Sequence, residues 1–534
     1  MNYGGVPMRV FKNDVLKNHI LKAGIGDFRE RYVFEELHNY VTSNNDRKIC
    51  TIYGLRRTGK TIMMLQEIKK VGVDKCIYIE CEDGDRIYDV REVIDANRDY
   101  EYVFIDEITK TDRFINTCSF LANDYAAEGV KVVIAGTDSL GFFLAKNDEL
   151  LGRTHIIKTT YIPFNEYNYL LGKDIMAYIE YGGTLTDGEV FYNNDNLYEY
   201  TNSAIAYNIA HSLEKWNRGE NYATRILRDI IDMGELPSFV NKVVEMPNRL
   251  FVAQIINQSF KSHDLGSLSD LMFKSKIGDS KYIDTDEMHN KIRAFLGIRE
   301  KHQNIADEKS VKLIIDYLIK LDVIHLTFNH KKDPKQNEYI FTQPGLRYSQ
   351  ATAIAEALVT SEAFDNYTTV QKYEILKKLK EDICGGILEN IVFYETFNCL
   401  SPDVAKLSRY EVTKYNDADS REIDVLVVDN ELKKSIAIEV KLSKTMCEEQ
   451  AKNLTNKDLC KEIEDNTGTK ICNKVVVYNG VNMRDDNNDV LYINAEDYMK
   501  NVQKVTTLLL DGKIENIEEL FKSEDVVKKK THKR

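Results

Sequence analysis

The sequence predicts an α/β chain of several units, on two observations. In the first half a glycine-rich loop joins an apolar strand to a helical pattern, and further strands alternate with helices, as in a parallel sheet covered on both faces. In the second half a helix, three short strands, a helix and another strand follow in order, with a helical stretch between the halves. The 534 residues exceed one ordinary core, and about 100–200 residues per domain gives three or four domains. With 43% hydrophobic and 29% charged residues there is apolar material for several cores, which excludes global disorder.

The first unit is the most explicit. The stretch KICTIY (48–53) precedes GLRRTGKT (54–61), a complete G-x-x-x-x-G-K-[ST] loop, and IMMLQEIKK continues it as a helix. Gly54 and Gly59 allow backbone N–H groups to turn around phosphate oxygens, Lys60 can bridge the β- and γ-phosphates, and the Thr61 hydroxyl can ligate Mg²⁺. YVFIDE (102–107) reads as a buried strand ending in two carboxylates, Asp106 for the metal and Glu107 as the base. KVVIAGTDS (131–139) is a third strand; Thr137 or Asp138 lies beside the γ-phosphate if that strand runs between the other two. KCIYIE (75–80) is a fourth, with Glu80 a weaker competitor to Glu107. The expected ATP-binding set is Gly54, Arg57, Thr58, Gly59, Lys60, Thr61, Asp106 and Thr137, with Thr61 and Asp106 holding Mg²⁺.

With the phosphate loop, VFIDEI (103–108), AGTDS (135–139), LLGR (150–153) and YIPFNEY (161–167) in hand, residues from about 30 to 500 resemble the bacterial and archaeal AAA+-like ATPases that carry a restriction-endonuclease-like C-terminal domain. The resemblance implies an additional-strand (ASCE) P-loop fold. It makes Arg153 a γ-phosphate sensor or a finger reaching a neighbouring subunit, against the plainer reading of a surface arginine. Arg56 and Arg57 inside the loop depart from the family pattern and suit a phosphate or partner contact.

In the middle, 222–246 has the spacing of amphipathic helices packed as a lid, and 179–200 reads as an exposed tyrosine- and asparagine-rich loop. SVKLIIDYLIKLDVIH (310–325) is a helix followed by two strand-like pieces around Asp333–Pro334, the order of a winged helix. Lys331, Lys332 and Lys335 on the wing suit phosphate contacts, and equally a solvated hairpin that packs domains together.

After a helical connector (350–383), Gly385–Gly386 precede a helix carrying Glu389, then strands at 409–413, 422–428 and 435–441, a helix, and a strand from Asn473, the order of a PD-(D/E)XK nuclease core. Asp424 lies in the second strand, and Glu439 and Lys441, two apart on the third, project to one side. Asp424, Glu439 and the Val440 carbonyl are expected to hold Mg²⁺ or Mn²⁺, Glu389 to add a contact, and Lys441 to orient water or stabilise charge on the scissile phosphate. Many members of the resembled family have lost these residues.

The expected divisions are a P-loop ATPase domain (1–170), a helical lid and insertion (171–305), a winged-helix-like part with connector (306–383), a nuclease-like domain (384–515) and a basic tail (516–534). A formal charge of −13 argues against coating nucleic acid by bulk charge, so DNA contact requires local basic clusters. Nine scattered cysteines without a Cys-x-x-Cys pair suggest neither disulfides nor zinc. Without an apolar run of about 18 residues or a signal-peptide pattern, a cytoplasmic protein is expected, without a membrane partner. The functional expectation is an ATP-hydrolysing switch coupled to a metal-dependent DNA nuclease, in genome defence or mobile-element biology by the family's general character. The alternative is a regulatory ATPase whose winged helix and nuclease-like domain bind DNA or a protein partner without cutting. A homo-oligomer formed through Arg153 is left open.

Overall fold

The computed structural model of the chain describes residues 8–44, 46–185, 202–216, 222–261, 292, 294–295, 308–327, 338–400, 409–416 and 421–521. The first sheet has the order β1-β3-β4-β5-β2-β6, from strands β1 (Arg9–Phe11), β2 (Ile49–Tyr53), β3 (Cys76–Glu80), β4 (Tyr102–Asp106), β5 (Lys131–Gly136) and β6 (Thr154–Lys158). Only β1 runs antiparallel to its neighbour. Alternate residues feed two cores: Ile77, Ile79, Val103 and Ile105 pack on one face, Cys50, Ile52, Tyr78 and Phe104 on the other. Two-sided burial explains why β2 to β5 read as near-continuous apolar runs. Because β5 lies between β4 and β2, the residues at its end reach the phosphate loop's side of the sheet. The edge strands β1 and β6 were not foreseen; β6 is mostly half-exposed and its pattern is correspondingly weak.

The middle is helical, with helices Tyr207–Trp216, Tyr222–Asp232 and Leu236–Lys261 in the lid region. Helix Glu308–Lys320 leads into an antiparallel hairpin, β7 (Ile324–Leu326) and β8 (Tyr339–Phe341). The hairpin's base packs inward, with the His325 ring 4.3 Å from that of Phe397. Lys331, Lys332 and Lys335, most of the 179–200 segment, and the tail from 522 onward lie outside the described residues.

The division expected at 383/384 falls inside a helix. One 32-residue helix, Thr369–Leu400, runs straight through it. Gly385–Gly386 do not start a helix; a Cβ on Gly386 would stand 2.8 Å from Ile255 Cδ1 and 2.9 Å from the Phe251 ring, so the glycine lets helix Leu236–Lys261 approach.

The second sheet has the order β13-β14-β12-β11-β10-β9, from β9 (Tyr410–Asn416), β10 (Glu422–Asp429), β11 (Lys434–Lys441), β12 (Lys470–Tyr478), β13 (Met483–Asp485) and β14 (Val490–Asn494). β9, β10 and β11 form an antiparallel meander, while β12 joins β11 in parallel after helix Lys457–Thr467. The short β13 and β14 were not anticipated. The long helix covers this sheet, and one continuous core joins Phe164 and Tyr178 to Ile383, Val392, Val425 and Val477. Among the described residues no helix is long and apolar enough to cross a membrane.

Candidate nucleotide site and C-terminal polar cluster

Strand β2 ends at Tyr53 and delivers the chain into Gly54–Gly59. A side chain at Gly54 would collide with the Thr160 amide nitrogen, 2.7 Å from its Cβ, so the loop passes directly over the segment after β6. Gly59 has φ +87° and begins helix Lys60–Val71, while Arg57 adopts φ +65°, a left-handed conformation that strains a non-glycine residue. The Arg57 carbonyl accepts a hydrogen bond from Leu185 N at 2.8 Å.

Lys60 is 5% exposed, and its ammonium donates to the Gly54 and Leu55 carbonyls at 2.9 and 2.8 Å. Burial lowers its pKa to about 8, against the opposing pull of Glu107 and Asp106. Thr61 Oγ1 donates to Asp106 Oδ2 at 2.6 Å, which pairs the hydroxyl and carboxylate assigned to Mg²⁺ from sequence. This hydroxyl–carboxylate pair is a hard oxygen donor set of the kind Mg²⁺ takes beside nucleotide phosphates. Tyr78 Oη also donates to Asp106 Oδ2, at 3.0 Å; the sequence reading missed it, although its position two residues before Glu80 puts it on the same face of β3.

Glu107 has φ +52°, and its Oε2 accepts from Thr137 Oγ1 at 3.1 Å and Thr137 N at 3.3 Å. Burial first, then the Asp106 charge, raises its pKa. Asp138 is otherwise engaged: it accepts from Gly141 N at 3.0 Å and from Ser212 Oγ at 2.5 Å. Asn208 Nδ2 donates to the Thr137 carbonyl and Lys215 Nζ to the Lys110 carbonyl, so helix Tyr207–Trp216 grips both catalytic loops.

Thr58 keeps its place in the loop and turns its hydroxyl inward, to the Leu55 carbonyl and Thr159 Oγ1, so that it holds the loop together from behind. Arg153 precedes β6 at the end where Thr154 pairs with Ile49, while the phosphate loop leaves β2 after Tyr53, opposite Lys158. A five-residue strand rises roughly 16 Å, so Arg153 lies at the far end of the sheet from its own phosphate loop, with its side chain in solvent. A sensing role within the same chain is therefore excluded. Glu80 is held by Arg9 at 2.5 Å.

A buried arginine missed from sequence backs the loop. Arg31, 4% exposed, donates from Nη1 to the Thr58 and Thr159 carbonyls at 2.8 and 3.0 Å, and forks onto Glu166 through Nε and Nη2, both at 2.9 Å. Breaking one side of such a buried pair costs about 3–5 kcal/mol. No local pattern marks it, because its partners lie 27 to 135 residues away.

In the second domain β10 and β11 bring Asp424, Glu439 and Lys441 together. Lys441 Nζ lies 2.6 Å from Glu439 Oε2 and 3.4 Å from Asp424 Oδ2, and Val440 N donates to Asp424 Oδ2 at 2.7 Å. Asn453 Nδ2 donates to Glu439 Oε1 at 3.3 Å. Burial and Asp424 push Glu439 up to about 8, and burial with Asp424 pushes Glu389 well above the carboxylate range. Two further residues join electrostatically: Glu422, raised by burial and Asp424, and Lys414, which donates to Glu338 at 3.0 Å. Among the described residues no three His, Cys, Asp or Glu side chains gather into a metal-binding group. Asp424 and Glu439, two of the residues expected to hold a metal, meet at the Lys441 ammonium, and Glu389 faces Asp424 and Lys441 electrostatically.

Residues 46–168 match the model of a family described as an AAA domain, and residues 384–498 match a domain of unknown function, DUF4143. No curated protein matches the chain. Among solved structures, the Aeropyrum pernix ORC2 protein in ADPNP–ADP complexes is similar at 10% identity and TM-score 0.29, over 67% of this chain and 98% of that one. C. elegans PCH-2 matches at 16% identity and TM-score 0.19, over 44% and 63% of the two chains. The replication initiator DnaA bound to AMPPCP and single-stranded DNA matches at 13% and 0.19, over 57% and 88%. Such low TM-scores carry no weight beside the parallel sheet, the loop and the family match. On those grounds residues 46–168 form an AAA-type P-loop ATPase domain, joined to a C-terminal domain whose family has no assigned function.

Proposed function

We propose that the chain is an ATP-hydrolysing switch whose C-terminal domain engages DNA or a protein partner. The observation that carries the ATPase half is the meeting of Thr61 with Asp106, and of Glu107 with Thr137, around Lys60. On ATP binding Lys60 exchanges its bonds to the Gly54 and Leu55 carbonyls for bonds to phosphate oxygens. Thr61 and Asp106 would hold Mg²⁺, which would offset charge on those oxygens. Glu107 takes a proton from the attacking water; its raised pKa makes it a stronger base than a free glutamate, and Thr137 fixes its direction.

For the C-terminal domain, the first reading is binding of DNA or a protein partner without cleavage, with Lys441 ion-paired to Asp424 and Glu439 in a buried polar cluster. The second reading, a PD-(D/E)XK nuclease acting on DNA, is supported by the convergence of Asp424, Glu439 and Lys441 on neighbouring strands. Phosphate release from ATP should be lost in Lys60→Ala, and wild type that releases none would sink the ATPase reading. Incubation with Mg²⁺ or Mn²⁺, ATP and single-stranded DNA, double-stranded DNA or RNA separates the other two. Intact substrates, with DNA affinity equal in wild type and Glu439→Ala, support the binding module. Metal-dependent cutting that Glu439→Ala abolishes while ATPase persists establishes the nuclease.

A further inference from the structure

The buried polar groups behind the phosphate loop form a continuous line toward the C-terminal cluster. Arg31 spends its donors on four groups: the Thr58 carbonyl within the loop, the Thr159 and Tyr161 carbonyls after β6, and the Glu166 carboxylate. Glu166 also accepts from Tyr32 N at 2.8 Å, so the pair is locked on both sides. Glu166 belongs to helix Phe164–Leu171, whose first amide, Phe164 N, donates to Glu395 Oε1 at 2.6 Å. Glu395, 3% exposed, sits in the long helix Thr369–Leu400 six residues after Glu389, about 9 Å along the axis at 1.5 Å per residue. Glu389 in turn faces Asp424, Lys441 and Lys414 electrostatically.

Burial drives the Glu395 pKa up to about 8, against the hydrogen bond from Phe164 N. A buried carboxylate facing one amide is a costly way to join two helices, where an apolar contact would cost nothing. It does answer to the position of helix Phe164–Leu171, since among the described residues it bonds to that helix's first turn.

We propose that Arg31 is a positioning residue for the phosphate loop, and that Glu166 and Glu395 carry the loop's position to the long helix and thereby to the C-terminal polar cluster. This rests on the ATPase reading above. A nucleotide that pulls the Thr58–Lys60 backbone toward its phosphates pulls on Arg31, and through Glu166 shifts the helix whose first amide Glu395 holds. The shift is passed rigidly because every member is buried and hydrogen-bonded, and the long helix runs unbroken from Glu389 to Glu395.

The test uses the full-length chain, a fluorescent ATP analogue to measure binding, and hydrogen exchange of peptides spanning 384–400 with and without AMPPNP. In wild type, nucleotide should slow exchange across 384–400. Glu395→Leu removes the acceptor of the Phe164 amide while keeping the apolar bulk. It should bind the analogue within roughly twofold of wild type, as expected of a residue outside the nucleotide site, and lose the nucleotide-dependent slowing. Arg31→Lys, which cannot make the fork, should raise the ATP KM roughly tenfold with a smaller change in kcat. Wild type that binds the analogue without slowed exchange at 384–400 overturns the relay alone, as does Glu395→Leu that keeps the slowing. Failure of wild type to bind any nucleotide overturns the ATPase reading and the relay with it. Circular dichroism on each variant checks folding, and Glu395→Leu stands as the test if Arg31→Lys does not fold.

Discussion

At the scale of single residues, Lys60 shows how burial stores a pH response. Desolvation lowers its pKa to about 8 in the nucleotide-free protein, and the charge of bound phosphates must raise it. The bound state therefore holds more protons than the free state above about pH 8, and linkage makes affinity fall as pH rises through that value. Below it both states carry the ammonium and the dependence vanishes. Calorimetric titration of AMPPNP should show proton uptake near pH 9 and a Kd that rises by up to roughly tenfold per pH unit there. A Kd equal at neutral and alkaline pH would remove Lys60 from phosphate binding. The residues of this response were legible in the sequence because G-x-x-x-x-G-K-T and the acidic strand end fix their neighbours locally. Arg31, Tyr78 and Glu395 were not, since their partners are backbone carbonyls and carboxylates distant in the chain that only the folded sheet brings near.

At the scale of elements, strands buried on both faces declared themselves by composition, whereas the half-exposed β6 and the short β13 did not. The long helix was misread at its glycine pair, because two adjacent glycines mark a helix end as readily as a close crossing. The neighbours of the pair now separate the two effects. Gly385 has open space around a Cβ, so Gly385→Ala should stabilise the helix by up to about 1 kcal/mol. Gly386 has Ile255 and Phe251 within 3.0 Å of a Cβ, so Gly386→Ala should overpack the crossing and cost about 1–3 kcal/mol. Denaturant melts of the two variants check this pair. Equal shifts in both would mean that helix Leu236–Lys261 does not approach there.

At the scale of the whole molecule, the two sheets pack into separate apolar clusters, and the helices that follow β6 tie the first half to the second. The apolar cluster that holds Phe164 and Tyr178 beside the nucleotide domain continues through Phe251 and the long helix into Val425 and Val477 of the second sheet. Chains of this size commonly unfold in stages, because few contacts cross between domains. Here the helices just after β6 bury Phe164 and Tyr178 in the cluster of the 32-residue helix and the second sheet, which bridges the seam where a stage would end. The single tryptophan, Trp216, lies at the end of the helix that grips the catalytic loops, so its fluorescence reports the nucleotide domain, while far-ultraviolet dichroism reports all helices and both sheets. The two signals should follow one urea transition. Saturating AMPPNP should move both together, by about 2.7 kcal/mol at a hundred times its Kd. A fluorescence midpoint that moves with nucleotide while the dichroism resolves a second, unmoved transition would show that the C-terminal sheet folds on its own account. In that case the continuity of the core would carry no coupling between the ATPase domain and the domain it is joined to.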